Sequence, residues 1–417
     1  MKLALLGADE DAWAIARAVR NNPELDLVWA CIPRKYWPDL HDMAPGLRPT
    51  ATWEALLDGR LVDAVIVASA APDEVEERGE QIRRLVQEKI PLLVAHPVVP
   101  SILIYYEIDS ALGEPPSILL PYLPWRWHPA VQKLSRLCQN ENQGIGQLEQ
   151  VVCERFLPQR TQALVCRQFA VDADLAQFLA GELTHLGAMA PGATAFEAAP
   201  EYNNLGVQAF GRNKVLVRWS VGPVEVEPGA KVSLIGSRGK AILEAPAGAF
   251  PWKLEVRLRN AGTPTLEEFA PWNPAVVALE QLAHALSGQP VTPTWHDATQ
   301  AVELAETIER SLLKRRTIEV RPRSQGEAGQ FKGTMTALGC GLLLLSVFFV
   351  ILGLILGNRP FELILTGRIM IFASAGLLGL FLLLQFLSLI IPQEPANQAN
   401  EISTESEDEM RSDDLQN

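Results

Sequence analysis

"KLALLGADEDAWAIARAVR", residues 2–20, decides the fold. Its first six residues are an apolar run that ends in Gly7, which reads as a buried strand. The residues after the glycine carry apolar side chains at helical spacing and stop near Asn21, Asn22 and Pro23. A strand, a glycine turn and a helix at the start of a chain announce a mononucleotide-binding unit. Such turns are rich in glycine and poor in negative charge. Here a single glycine is followed by Asp9, Glu10 and Asp11.

The alternation continues outward from this stretch. "LDLVWACI" (25–32), "VDAVIVASA" (62–70) and "IPLLVAHP" (90–97) read as further strands. "TWEALLDG" and "DEVEERGEQIRRLVQEK" between them read as helices. Strands alternating with helices imply a Rossmann-like parallel sheet covered on both faces. Gly7, Ile32, Ser69 and His96 would then lie at the strand ends that border one crevice.

The pattern changes after about residue 125. "GQLEQVVCERFL", "NLGVQAFG", "KVLVRWSVGP", "AKVSLIGS" and "KAILEA" are strand-like runs parted by glycines and turns. They predict an α+β domain with a large, mainly antiparallel sheet. "DLAQFLAGELTHLGAMA" and "AVVALEQLAHALSG" are expected to be helices packed on that sheet, and "DATQAVELAETIERSLLKRR" (297–316) closes the globular part. The expected order is a dinucleotide-binding-type domain over 1–125, an α+β domain over 126–320 and a basic linker over 321–333. Two uncharged apolar runs follow, Thr334–Gly357 and Ile369–Ile391. Each exceeds the roughly 20 residues that cross a bilayer. With the short link 358–368 they predict a transmembrane helical hairpin. The acidic tail, 392–417, lacks the apolar residues to build a core and is expected to be disordered.

Charge and cysteine content narrow the function. The 417 residues carry a formal net charge of −13, which argues against a nucleic-acid partner, since phosphate binding needs a basic face. The five cysteines are scattered without a CxxC, which suits buried thiols in a reducing compartment and no metal site. "MKLALLG" is too short an apolar run for a signal peptide, which places the first domain in the cytoplasm. Arg and Lys cluster before the first apolar run, at Arg310, Lys314, Arg315, Arg316, Arg321, Arg323 and Lys332. The link between the runs holds Arg359 and Arg368. The positive-inside rule then predicts an integral protein of the inner membrane, with its globular domains and tail in the cytoplasm.

Several phrases together resemble the Gfo/Idh/MocA-type oxidoreductases, the family of glucose–fructose oxidoreductase and inositol dehydrogenase. They are "TWEALLDGRLVDAVIVASAAPDE", "PLLVAHPVVPS", "YLPWRWHPAVQKL", "QGIGQLEQV" and "VTPTWHDATQAVELAETIERSLLKRRTIEV". The resemblance spans about residues 1–320. It implies NAD(P)-dependent hydride transfer at a sugar or polyol carbon. Family members often associate through the exposed face of the large sheet, so it also implies a homo-oligomer.

The residues at the family's chemical positions depart from its pattern. Gly7, Ala8, Asp9 and Ala12 would form the loop that meets the dinucleotide, with Ser69 and Pro97 at neighbouring strand ends. The second glycine of Gly-x-Gly-x-x-Gly is Asp9 here. A carboxylate about 4 Å from a phosphate is repelled by roughly 1–4 kcal/mol at effective dielectrics of 80 to 20. Asp9 reads better as a helix N-cap, with Glu10 and Asp11 as acids that complement the helix dipole. The second strand ends in "CIPRKYW", without the acid that holds ribose hydroxyls; Arg34 suits a 2′-phosphate or is simply solvated. His96 stands where the family's lysine is found, as a base near neutral pH or as a crevice filler. In "GELTH", Gly181 and His185 match the family's Asp-x-x-x-His, so only the histidine is kept; it is expected on a helix over 176–189. His96 and His185 are the candidate catalytic residues, expected on one cleft that Trp125, Arg126 and Trp127 border. The departures together predict a catalytically degenerate member with no bound cofactor. It would bind a small polar ligand or a protein partner at the membrane. The alternative is an active NAD- or NADP-dependent oxidoreductase using the two histidines.

Overall fold

The structure is a computed structural model. It describes residues 1–320 apart from 45–46, 48–49, 51, 59–61, 140–143, 191–200, 212, 225–228, 249 and 260–262. Beyond residue 320 it describes Leu345, Val347, Phe348, Ile351, Phe372 and Gly376. The expected linker and tail therefore lie outside the described residues, as do the two apolar runs apart from those six positions. Among the described residues no helix is long and apolar enough to cross a membrane. The first compact unit is Met1–Pro322.

The opening stretch folds as read. β1 (Lys2–Leu6) is followed by α1 (Glu10–Arg20), which buries Ala12, Ile15, Ala16, Ala18 and Val19. β2 (Asp26–Cys31), α2 (Trp37–Met43), β3 (Ala64–Val67), α3 (Val75–Gln87), β4 (Leu92–Ala95), α4 (Ile102–Ala111) and β5 (Leu119–Tyr122) complete this half. The five strands form a parallel sheet in the order β2-β1-β3-β4-β5. Every residue of β3, β4 and β5 is buried, as expected of a sheet covered on both faces. "TWEALLDG" is a single 3-10 turn, Glu54–Asp58. The chain order reverses between β1 and β3, which makes that gap the topological switch point.

A 3-10 turn, Pro124–Trp127, leads to α5 (Pro129–Gln139) and into the second sheet. Its elements are β6 (Leu148–Phe156), α6 (Gln162–Ala180), β7 (Leu183–Met189), β8 (Gly206–Gly211), β9 (Leu216–Gly222), β10 (Gly229–Gly236), β11 (Gly239–Pro246), β12 (Trp252–Leu258) and β13 (Thr265–Phe269). α7 (Pro274–Leu286), α8 (Trp295–Lys314) and β14 (Ile318–Glu319) follow. Among the described residues the strand order is β13-β12-β11-β10-β6-β9-β8-β7-β14. The pair β6–β9 is parallel and the others are antiparallel. The sheet buries one set of alternate side chains, among them Val217, Trp219, Val232, Leu234, Leu186 and Ala188, in one core with residues of α6 and α8.

Two expectations need correction. The helix expected to carry His185 ends at Ala180, and His185 lies on β7. Gly181 makes the break with φ +82, and a Cβ there would meet the Asn213 amide at 2.6 Å. Beyond it the apolar residues Leu186 and Ala188 recur at period two, which suits a strand. The second correction concerns "AVVALEQLAHALSG". It forms α7 as a helix, but packs on the first sheet rather than the second. Ala275, Ala278, Leu279 and Leu282 join a core with Leu3, Leu5, Ala12 and Ile15. Small residues on both α1 and α7 let these helices lie close.

Candidate functional site

The switch-point crevice is built from the turn after β1. Gly7 takes φ +81 and its N–H donates to the Cys31 carbonyl at 2.8 Å, tying the ends of β1 and β2 together. Asp9 is the N-cap of α1 with extended backbone. One carboxylate oxygen accepts from the Ala12 N–H at 2.7 Å. The other accepts from the Ser69 N–H at 2.6 Å, just beyond β3. Asp9 therefore spans the crevice from α1 to the end of β3, using donors from both. Ser69 Oγ donates to the Pro97 carbonyl at 3.1 Å and accepts from Arg167 of α6 at 3.0 Å. Asp11, in the first turn of α1, has its carboxyl pushed up to about 6 by burial, with Asp9 and Glu10 adding to the rise and Arg167 opposing it.

His96 lies one residue past β4 and is 3% exposed. Its ring meets Tyr105 edge-on, with centroids 6.3 Å apart. The Ala170 backbone lies near enough to favour the charged ring, but neither ring nitrogen has a hydrogen-bond partner of normal geometry. Burial, helped by the positive fields of Arg167 and Arg126, pulls its pKa down to about 3. An imidazole held so low is a weak base at neutral pH.

His185 has other surroundings. Its ring stacks on Phe210 of β8 at 4.6 Å, and its Nδ1 lies 3.0 Å from Thr184 Oγ1. Its neighbours Leu186 and Ala188 face the core shared with α8, so His185 faces the opposite side of the sheet. The structure thus brings Gly7, Asp9, Ala12, Ser69, Pro97 and His96 to one crevice, with Ala8 in the turn between, and does not bring His185 there.

The crossing segment is built into the frame. Arg126 donates to Asp174 of α6 at 2.9 Å and 2.5 Å, and to Asp297 of α8 at 3.0 Å. Trp127 Nε1 donates to the Thr292 carbonyl, and Trp125 packs against Trp252 with centroids 4.7 Å apart.

Sequence reasoning missed two residues of the crevice. Arg167 reaches Ser69 from α6, 98 positions away, and no local pattern marks it. Arg78 of α3 lies against Gly7. It shares a helical stripe with buried Ile82 and Leu85, and an arginine in an apolar stripe was the readable signal. Among the described residues no group of three or more His, Cys, Asp and Glu is placed to hold a metal ion, and the four described cysteines, Cys31, Cys138, Cys153 and Cys166, are free thiols.

No protein-family model matches the sequence, and no curated protein is similar to it in sequence. Solved structures do match. A myo-inositol dehydrogenase from Corynebacterium glutamicum superposes with TM-score 0.61 at 21% identity, over 77% of this chain and 99% of that one. An oxidoreductase from Agrobacterium radiobacter in complex with NAD+, L-tartaric acid and magnesium gives 0.63 at 16%, over 76% and 98%. GenD2 from gentamicin A biosynthesis, in complex with NAD, gives 0.63 at 20%, over 77% and 96%. The structural neighbours are oxidoreductases of the Gfo/Idh/MocA type, and this chain shares their two-sheet fold.

Proposed function

We propose that this chain is a membrane-anchored, catalytically degenerate body of oxidoreductase fold. It binds a small polar ligand or a protein partner instead of transferring hydride. The observation that carries the reading is Asp9. A dinucleotide pyrophosphate is held by amides at the N-terminus of the first helix. In this chain the Asp9 carboxylate already accepts from the Ala12 amide of α1 and from the Ser69 amide across the crevice. The pyrophosphate would have to displace a fixed anion of its own sign. The residues of this crevice therefore do not fit NAD or NADP. The weakly basic His96, in place of the family's lysine, supports the same reading. Hydride transfer by His96 and His185 would need both imidazoles at one crevice, and His185 stacks on Phe210 on the uncovered face of the large sheet. That face exposes Phe210 and Leu266, which favours association of like chains.

The test is titration of the full chain in detergent with NADH and NADPH. No saturable fluorescence change is expected below about millimolar, which is only ~4 kcal/mol of binding. Micromolar binding would overturn the reading. Anchoring is tested separately. A cysteine in the link 358–368 should be labelled by an impermeant reagent from outside intact cells, and one in the tail 392–417 should not. Labelling of the tail would overturn the topology.

A further inference from the structure

We infer that Arg78, with Asp9, fills the β1/β3 crevice with the chain's own charges, and that these two side chains set its rejection of dinucleotides. The inference rests on the reading that the wild-type crevice holds no dinucleotide, and adds the side chain that fills the rest of it.

The geometry is specific. A Cβ built on Gly7 would lie 2.5 Å from Nη2 and 3.0 Å from Cζ of Arg78, and 3.1 Å from the Ala68 Cβ. The guanidinium is thus pressed onto the bare face of Gly7, between the end of β1 and the first residue after β3. That gap is where the strand order reverses and where this class of sheet takes its ligand. The room exists only because residue 7 has no side chain. Gly79, next along α3, lets Ile104 of α4 approach to 2.7 Å of its own Cβ position, which seats the helix close.

Ordinary packing economy does not account for the placement. Arg78 is 5% exposed, yet Nε and Nη1 have no hydrogen-bond partner, and the Glu74 carboxylate is 3.7 Å from Nη2. A buried, half-satisfied guanidinium is costly and is retained only where something favours its charge. Burial is the largest effect and holds the Arg78 pKa below its ordinary value; Glu74, then Cys31, Glu77 and Asp9 offset part of that cost. Asp9 reaches into the crevice from α1 and Arg78 from α3. One takes the amides a pyrophosphate would use, and the other takes the space beside Gly7 that the ligand would need. Cation and anion together leave the crevice filled without a bound molecule.

The experiment uses the full chain in detergent and NADH as probe. Asp9→Asn keeps a capping oxygen while removing the charge. Arg78→Ala is added to it. The double variant is expected to bind NADH at least tenfold more tightly than Asp9→Asn alone. Equal or weaker binding by the double variant, with its near-ultraviolet circular dichroism unchanged, overturns the inference. Weaker binding would mean that Arg78 attracts the anionic ligand rather than excluding it. Arg78→Met in the same background keeps an apolar stem in the stripe of Ile82 and Leu85, and serves if the alanine variant does not fold. Micromolar binding by the wild type would instead overturn the reading on which the inference rests.

Discussion

Arg155 and Arg78 are both buried arginines, 6% and 5% exposed, and the fold treats them oppositely. Arg155, on β6, donates through Nε to Asp172 of α6 at 3.0 Å and through Nη2 to the other oxygen of the same carboxylate. Trp219 Nε1 donates to Asp172 at 2.8 Å, and Trp125 lies 4.9 Å from the guanidinium carbon. Arg78 has no carboxylate in hydrogen-bond contact. The first arginine ties a helix to the sheet it covers, and both oxygens of its partner carboxylate are used. The second stands at the place where relatives of this fold hold a ligand. Satisfied charges mark the frame, and the half-satisfied Arg78 marks the switch-point crevice.

The comparison is broken most directly by removing one carboxylate. Asp172→Ala leaves the Arg155 guanidinium and the Trp219 N–H without their partner. Losing one member of a buried pair costs about 3–5 kcal/mol, so a large drop in the denaturation midpoint is expected. Arg78→Met, removing a charge that is already half-satisfied, is expected to be neutral or stabilising. Denaturant unfolding followed by tryptophan fluorescence compares the two. Similar losses would erase the distinction between frame and site.

Asp9 comes next in size. Asp9→Ala removes the cap of α1 and the contact to Ser69. One cap and one charged hydrogen bond together are worth about 2–3 kcal/mol. Asp9→Asn should recover most of it. An alanine variant as stable as the wild type would mean that Asp9 holds neither donor firmly.

How far these features could be read in the sequence follows from their range. Asp9 was legible as a cap because its first partner is three residues away. The strands β1 to β4 were legible because each is a continuous apolar run between turn residues. β5 was not: Leu119–Tyr122 is four residues long and contains a proline. β7 was hidden because apolar residues continue across Gly181, and only the pair 186 and 188 carries the strand period. α7 was recognised as a helix, but its partner α1 lies more than 250 positions away, and periodicity says which face is buried without saying against what. The contact of Arg78 with Gly7 is likewise non-local, and the chemical signal was one charge in an apolar stripe.

A smaller effect, visible through pH, sharpens the comparison at His96. Its folded pKa, about 3, lies below the 6.5 of an exposed imidazole. Between those values the unfolded chain binds the proton and the fold does not. Stability from this group is therefore complete above pH 6.5 and is lost as pH falls towards 3, by roughly 1 kcal/mol per unit. Asp11 and Asp174, raised to about 6 chiefly by burial, act in the opposite sense, since the fold holds their protons more tightly. Both are present in wild type and variant and cancel in the difference. The groups that face His96 are Tyr105, the Ala170 backbone, Arg167 and Arg126. His96→Gln should therefore gain on the wild type as pH falls from 6.5 to 4. Parallel stability curves would show that the ring is not held neutral.

The smallest effect belongs to the other histidine, and tests whether position in the fold outweighs position in a sequence motif. His185 is half-buried on the uncovered face of the sheet, and its ring stacks on Phe210, itself 43% exposed. A stacked pair contributes about 0.5–1.5 kcal/mol beyond burial at best, and less where water reaches both rings. Its second contact, with the neighbouring Thr184 hydroxyl, is replaceable by water. His185→Val keeps an apolar surface against Phe210 and places a good strand former on β7. It should shift the denaturation midpoint by less than about 0.5 kcal/mol, the range of ordinary surface substitutions. It should also leave the NADH titration of the Asp9→Asn, Arg78→Ala protein unchanged, because His185 faces away from α6, whose Arg167 reaches the crevice. A change in that titration would put His185 in the crevice after all. An unchanged one would leave the crevice to Asp9, Arg78, Ser69, His96 and Arg167, residues drawn together from five separate segments of the chain.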